Sequence, residues 1–79
     1  MDILVYTKDN CPYCTKAKMF FAKKNLSYLE KKVGVDLTSE EYRSKINSTV
    51  PAIFIDGNFI GGYDDLVWLS GMKPEMFNG

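Results

Sequence analysis

The two cysteines of the chain stand three residues apart, in the segment Cys11-Pro12-Tyr13-Cys14. A structural zinc site wants four ligands, and the sequence has no histidine to add to this pair. A structural disulfide is disfavoured, because the loop that it would close is too short to constrain the unfolded chain much. Two unrelated buried cysteines are disfavoured by the position of the pair, at the start of a predicted helix. The spacing therefore favours reversible thiol–disulfide exchange.

The predicted position of Cys11 gives this chemistry a physical basis. Pro12 is typical of a first helical turn, which puts Cys11 at the amino end of the helix. Unpaired backbone N–H groups and the helix dipole favour a thiolate there, and Lys8 and Lys16 add positive charge. Cys14 lies nearly one turn further in. We therefore predict that Cys11 attacks a disulfide and that Cys14 resolves the mixed disulfide. A Cys–His hydrolase is excluded because the sequence has no histidine.

The elements that must position these cysteines follow from turn signals and hydrophobic periodicity. Strands are predicted from short runs rich in branched and aromatic residues, with a turn at Asp56-Gly57-Asn58. Helices are predicted from helical spacing and from a capping-box pattern at Thr38 and Glu41. The predicted order is strand 2–7, helix 12–24, strand 26–32, helix 39–46, strand 52–56, strand 59–60 and a helix from about 64 that covers 66–69, followed by a loose tail suggested by Gly71 and Pro74.

This order predicts an α/β fold with a βαβ-ββα plan. The strand–helix–strand unit needs a right-handed crossover into a parallel pair, and the hairpin then adds antiparallel strands. We expect a four-stranded mixed sheet with three helices packed on it, in a single domain over residues 1–79.

Charge and composition limit the location and the partners. The chain is neutral overall, but seven lysines face two acids between Lys8 and Lys32. This local excess favours thiolates and anionic ligands, although Lys23 and Lys24 are expected on a solvated helix face. Nucleic-acid binding has little support in a neutral chain.

No apolar run is long enough to span a bilayer and no signal peptide is recognisable. We therefore expect a cytoplasmic monomer.

Two further segments carry candidate binding groups. Thr49-Val50-Pro51 precedes the third strand, where a cis peptide at Pro51 would leave the Val50 backbone free to pair with an extended substrate. A proline that opens a strand is also often only structural. Gly61-Gly62-Tyr63-Asp64-Asp65 is either a flexible turn with Asp64 as helix N-cap, or a clamp for a carboxylate and an ammonium group, the latter at Asp65.

Taken together, the three segments resemble the glutaredoxin family, and the resemblance covers nearly the whole chain. It depends on Tyr6-Thr7-Lys8 before the cysteine segment, on Thr49-Val50-Pro51, and on the residues from Ile60 to Leu66. Pro12-Tyr13 between two cysteines is similar to the dithiol class and not to the monothiol class. The resemblance implies a thioredoxin-like fold, a cis Pro51, and glutathione as reductant and ligand, with no metal expected.

The resemblance also implies roles for individual residues. Cys11 is implied as the nucleophile and Cys14 as the resolving thiol. Lys8 and Tyr13 are implied to approach the glycine end of glutathione or to flank its sulfur. The Val50 backbone is implied to pair with the cysteinyl unit, and the γ-glutamyl end is implied to contact Tyr63, Asp64 and Asp65. Thr49, Pro51 and Gly62 complete the implied binding set.

The sequence departs from the family pattern at two places. Many dithiol members have a basic residue at the position of Asn47, so the glycine carboxylate is left to Lys8 alone, or to Arg43 or Lys45 of the second helix. The C-terminal helix is also short and lacks a good apolar stripe.

The expected function is glutathione-dependent reduction of protein disulfides and of glutathione mixed disulfides. A variant of it is hydrogen donation to ribonucleotide reductase, with recharging by glutathione or by thioredoxin reductase. The alternative is a dimer that holds a [2Fe–2S] cluster through Cys11 thiolates and two glutathiones. Pro12, which stiffens the motif, and Cys14, which competes by forming a disulfide, both disfavour the cluster.

Overall fold

The computed structural model describes residues 1–77 and contains the elements of the predicted order. Within these residues there are four strands, three α-helices and a final 3₁₀ helix. In chain order they are β1 (Ile3–Thr7), α1 (Pro12–Lys23), β2 (Leu29–Lys32), α2 (Ser39–Lys45), β3 (Ala52–Ile55), β4 (Asn58–Gly61), α3 (Tyr63–Met72) and the 3₁₀ helix (Pro74–Phe77).

The strands form one mixed sheet in the order β2-β1-β3-β4. β1 pairs in parallel with β2 and antiparallel with β3, and β3 pairs antiparallel with β4. α1 is the crossover that joins the parallel pair, since parallel neighbours cannot be connected by a tight turn. The predicted βαβ-ββα plan is confirmed. Between residues 1 and 77, no helix is both long and apolar enough to cross a membrane.

The two faces of the sheet are covered by different helices. Alternate residues of β1 and β3 point to opposite faces, so each strand contributes to two cores. The larger core joins β1 and β3 to α1, α3 and the 3₁₀ helix, and its buried members are Ile3, Val5, Ala17, Phe21, Ile53, Ile55, Leu66 and Phe77. On the other face, Tyr42 of α2 packs against Tyr6 and Ala52. α2 is therefore fixed to the sheet mainly through Tyr42.

β2 begins at Leu29, three residues later than the predicted start at Leu26. The backbone N–H of Leu26 donates to the carbonyl oxygen of Phe21 at 3.0 Å, and Asn25 has a left-handed φ of 57°. These residues close the last turn of α1. Their backbone groups are therefore not available to a strand, which the apolar character of Leu26 alone did not reveal.

The predicted loose tail is wrong. Pro74–Phe77 forms a 3₁₀ helix, and the side chain of Phe77 is only 1% exposed. Its ring meets that of Phe20 edge to face, with 5.6 Å between the ring centroids. A domain this small has a thin core, so one additional buried aromatic ring makes a sizeable contribution to the stability of the fold. The end of the predicted tail, residues 78–79, lies outside the described residues.

The buried position of Phe77 leads to a stability prediction. Phe77→Ala should lower the free energy of unfolding by about 3–5 kcal/mol, because it leaves a cavity where an aromatic ring was fully buried. Urea denaturation followed by far-ultraviolet circular dichroism measures the loss. Met72→Ala is the control, since Met72 is 63% exposed and its removal should change stability by less than about 0.5 kcal/mol. A similarly small loss for Phe77→Ala would contradict the packing.

Candidate active site

Cys11 is the N-cap residue of α1 and has extended backbone angles, with φ −122° and ψ 97°. Its Sγ accepts a hydrogen bond from the backbone N–H of Cys14 at 3.2 Å. Asn10, with φ 56°, turns the chain from β1 into the helix, and asparagine tolerates that left-handed conformation better than most residues. The sulfur thus lies where a helix terminus and a backbone donor both stabilise negative charge.

Cys11 and Cys14 form a disulfide in the structure. Cys14 is 2% exposed, whereas Cys11 is partly exposed. An incoming sulfur therefore reaches Cys11 first, which is the accessibility that the predicted roles of nucleophile and resolving thiol require. The pairing also means that Cys14 competes for the sulfur that a cluster would need, so the [2Fe–2S] alternative is not favoured. Across residues 1–77, no three His, Cys, Asp or Glu side chains are grouped so as to hold a metal ion.

A cleft of about 270 Å³ has Val50 in its lining, and Val50 is a neighbour of the Cys11 sulfur. Every residue predicted to bind glutathione, apart from Lys8, lines this cleft: Tyr13, Thr49, Val50, Pro51, Gly62, Tyr63, Asp64 and Asp65. Tyr13 belongs to α1. Thr49, Val50 and Pro51 precede β3, and the residues from Gly62 to Asp65 form the turn from β4 into α3. Three segments that are far apart in the sequence therefore meet beside one sulfur.

The segment before β3 forms the middle of the cleft. The Val50–Pro51 peptide bond is cis, as predicted. The carbonyl oxygen of Val50 lies 3.8 Å from the Sγ of Cys11. The hydroxyl of Tyr42 donates to the carbonyl oxygen of Thr49 at 3.4 Å, which ties this segment to α2. The Val50 backbone is thus held directly beside the reactive sulfur.

The turn into α3 is shaped by Asp65. Its Oδ2 accepts a hydrogen bond from the backbone N–H of Gly62, the N-cap residue, at 3.0 Å. The predicted N-cap role of Asp64 is therefore wrong, because the helix begins one residue earlier and Asp65 satisfies the donor. Gly61 has φ 126°, and a Cβ there would overlap the Asp65 carboxylate. Glycine is required at this position both for the backbone angle and for space.

Two tyrosines that line the cleft form a cluster with a lysine. The ring centroids of Tyr13 and Tyr63 are 6.1 Å apart. The Nζ of Lys16 lies 4.9 Å from the Tyr13 centroid and 6.0 Å from that of Tyr63. Lys16, expected to add charge near Cys11, thus places its charge over these two rings, where cation–π attraction holds it.

Lys8 lies at the site but outside this cleft. It lines a cavity of about 500 Å³ together with both cysteines. It also lines a cavity of about 620 Å³ that includes Thr49 and Val50. Lys8 is therefore placed where it faces the cysteines on one side and the Val50 segment on the other.

Known proteins that this chain resembles agree with the geometry. The family model for glutaredoxin matches residues 3–60. The chain belongs to the glutaredoxin family. It is 49% identical over 69 residues to glutaredoxin 1 of Rickettsia prowazekii, which covers 81% of this chain and 72% of that protein. It is 40% identical over 78 residues to glutaredoxin 3 of Escherichia coli, which covers 92% and 94%. The crystal structure of glutaredoxin 1 from Francisella tularensis matches with a TM-score of 0.78 at 30% identity, over 94% and 96% of the two chains.

Membership of the glutaredoxin family, together with the Cys11–Cys14 pair, defines the reaction class. The protein is a thiol–disulfide oxidoreductase with a thioredoxin-like fold. The accessible sulfur of Cys11 and the buried sulfur of Cys14 are the two thiols that this chemistry uses.

A network beneath the active-site loop was missed by the sequence analysis. The buried hydroxyl of Thr7, the last residue of β1, donates to Oε2 of Glu30 at 2.7 Å. The Nζ of Lys18 in α1 donates to the same oxygen at 3.1 Å. The hydrogen bond from Thr7, followed by that from Lys18, holds the pKa of Glu30 below its usual value. The network joins β1, β2 and α1 just where the chain leaves β1 for Cys11.

A second ion pair holds the loop itself. The Nζ of Lys32 lies 3.1 Å from Oδ1 of Asp9, and this contact raises the pKa of Lys32. No spacing rule could predict either contact, because each pairs β2 with a residue more than ten positions away in the sequence.

The lowered pKa of Glu30 predicts how stability changes with pH. A carboxylate whose pKa is lower when folded stabilises the protein above its unfolded pKa, and this contribution is lost as the pH falls through the folded pKa. Glu30→Gln should therefore cost about 1–2 kcal/mol at pH 7 and should lose less stability than the wild type between pH 5 and pH 3. Urea denaturation at a series of pH values measures both effects. Glu75→Gln, at an exposed position, should parallel the wild type; an identical profile for Glu30→Gln would contradict the network.

Proposed function

We propose that the protein is a glutathione-dependent oxidoreductase that reduces protein disulfides and glutathione mixed disulfides. The cleft beside Cys11 is the observation that carries the proposal. Its lining combines the Val50 backbone, which lies next to the Cys11 sulfur, with the amino terminus of α3 and the carboxylate of Asp65. A matching solved structure, that of buckwheat glutaredoxin with a TM-score of 0.68 at 25% identity, is a complex with glutathione.

Glutathione suits these groups because it is extended and carries two carboxylates and one ammonium group. In the proposed pose its cysteinyl unit pairs with the Val50 backbone, whose oxygen is 3.8 Å from the Sγ of Cys11. The γ-glutamyl carboxylate then faces the backbone N–H groups at the start of α3, which favour an anion. Asp65 lies in the first turn of the same helix, where its carboxylate meets the ammonium group.

Reduction of a glutathione mixed disulfide needs only Cys11. The Cys11 thiolate attacks the glutathione sulfur, the bond to the substrate sulfur breaks, and the substrate leaves as a thiolate that takes a proton from water. A second glutathione thiolate then attacks the glutathione sulfur bound to Cys11. Glutathione disulfide forms and the Cys11 thiolate is restored.

Reduction of a protein disulfide uses both cysteines. Cys11 attacks one sulfur of the substrate and forms a mixed disulfide. Cys14, deprotonated for this step, attacks the Cys11 sulfur and releases the substrate as a dithiol, which leaves the Cys11–Cys14 disulfide seen in the structure. Two glutathione molecules then reduce this disulfide in sequence, with Cys11 as the accessible point of attack.

The proposal includes a setting and a class of targets. One chain carries both cysteines and the whole cleft, which supports a monomer as the working unit. A glutathione-reduced compartment, the cytoplasm, suits a dithiol that must be recharged. One proposed target among protein disulfides is a disulfide of ribonucleotide reductase. Offering the oxidised protein either glutathione with glutathione reductase or thioredoxin reductase, with NADPH consumption as readout, tests the reductant; recharging by thioredoxin reductase alone would overturn the glutathione proposal.

The two cysteines should have separable effects on activity. Cys11→Ser should abolish all thiol transfer, because the accessible nucleophile is lost. Cys14→Ser should retain reduction of a glutathionylated peptide and lose most reduction of a protein disulfide, since nothing resolves the mixed disulfide. Coupled NADPH assays with the two substrates measure this. The roles would be wrong if Cys11→Ser kept its activity, or if iodoacetamide alkylated Cys14 first in the reduced protein.

Asp65 should contribute to glutathione use beyond its capping role. Asp65→Asn keeps an oxygen acceptor for the Gly62 N–H and removes the negative charge. We expect kcat/KM for a glutathionylated peptide to fall by an amount equivalent to roughly 1–3 kcal/mol, the range for a charge-assisted hydrogen bond, with little change in melting temperature. Asp65→Ala serves as the comparison, because it removes the cap and should also lower stability. An unchanged kcat/KM in Asp65→Asn would mean that the turn is only structural.

A further inference from the structure

A second cavity also has the Val50 segment in its lining. It has a volume of about 620 Å³ and shares Thr49 and Val50 with the cleft beside Cys11. Its remaining lining residues come from α2 and from the loops that follow β1, β2 and α2: Lys8, Val33, Ser39, Tyr42, Arg43, Asn47 and Ser48. The Val50 backbone therefore borders both spaces, and an extended ligand that lies along it is in contact with both.

Two cations line this second cavity, Lys8 after β1 and Arg43 in α2. Within residues 1–77 neither of them is in an ion pair. Asn47, at the end of α2, has a left-handed φ of 51° and contributes no charge. The cavity therefore offers positive charge that no carboxylate of the described chain neutralises.

The structure distinguishes between the two cations of α2. Arg43 lines the cavity next to Val50, whereas Lys45 lines a different cavity with Glu30, Asp36 and Glu41. α2 is held in this orientation because Tyr42 is buried against the sheet and bonds to the carbonyl of Thr49. Arg43 is the next residue along the helix, so its position relative to the Val50 segment is fixed through Tyr42.

We infer that Arg43, together with Lys8, binds the glycine carboxylate of glutathione and takes the place that Asn47 cannot fill. The inference depends on the proposed use of glutathione and adds a binding residue to it. The guanidinium group has a rigid fork of N–H donors that matches a carboxylate, which a point charge such as lysine does not. Arg43 thereby sets the preference for a ligand that ends in a free carboxylate.

The test is the rate at which glutathione reduces the Cys11–Cys14 disulfide of the full chain. Timed samples are quenched with acid, the thiols are alkylated, and the reduced fraction is measured by mass spectrometry. Arg43→Gln should slow reduction by roughly tenfold, as for loss of a charge-assisted hydrogen bond. The reduction rate of Arg43→Lys should lie between those of the wild type and Arg43→Gln, because lysine keeps the positive charge and loses the fork of N–H donors. Lys45→Gln is the matched control on the same helix and should remain within about twofold of the wild type.

A chemical change in the ligand completes a double-mutant cycle. Glutathione ethyl ester, blocked at the glycine carboxylate, should reduce the wild type roughly tenfold more slowly than glutathione does. It should slow Arg43→Gln by a clearly smaller factor, because only Lys8 is left there to meet the carboxylate. Dithiothreitol has no carboxylate and should reduce all variants at the same rate, which shows that the disulfide and the fold are intact. If Arg43→Gln and the wild type lose the same factor with the ester, Arg43 does not bind the carboxylate, and the inference is overturned.

The outcomes also separate this inference from the proposed function. A wild type that glutathione reduces, with Arg43→Gln equally fast, removes the role of Arg43 and leaves the proposed function standing. A wild type that dithiothreitol reduces and glutathione does not would overturn both.

Discussion

The whole arrangement depends on holding one sulfur atom at the amino end of a helix. The Sγ of Cys11 is reactive only if its negative charge is stabilised, and the backbone N–H of Cys14 and the helix terminus provide this. The sulfur must also stay accessible, and it lies in the loop that follows β1, outside the core. Thr7, Glu30 and Lys18 tie together the three elements from which the active-site loop emerges. A loop at the surface is thereby attached to β1, most of whose residues are buried.

The groups that bind substrate in the proposed function also hold the site together. Asp65 satisfies the first backbone donor of α3 while its carboxylate lines the cleft. Gly61 is needed because any side chain there would displace that carboxylate. Tyr42 packs in the smaller core and also bonds to the segment that lies beside Cys11. Such shared roles mean that a substitution in the cleft affects stability and binding together, and only variants that preserve one of the two roles separate them.

The features that the sequence predicted correctly are governed by neighbouring residues. The helix after Pro12 and the capping box of Thr38 and Glu41 involve contacts within one turn, so a local pattern suffices to predict them. The errors have a different origin. Phe77 gives no periodic signal, and only its packing against Phe20 orders the end of the chain. Asp64 and Asp65 are both suitable caps by type, and the start of α3 at Tyr63 selects Asp65.

The sequence by itself determined the thiol chemistry of Cys11 and Cys14 and the order of the elements, because two cysteines at helical spacing and a few turn signals are local properties. The residues predicted to bind glutathione came instead from the resemblance to a family. Tertiary structure decided which distant groups meet. It brought Val50 within 3.8 Å of the Cys11 sulfur and paired Glu30 with Thr7. It also placed Arg43, and not Lys45, in the cavity beside Val50. These outcomes depend on strand register and on the rotation of α2 about its axis. Both are set by burial of side chains such as Tyr42 against residues far away in the sequence, which no local pattern encodes.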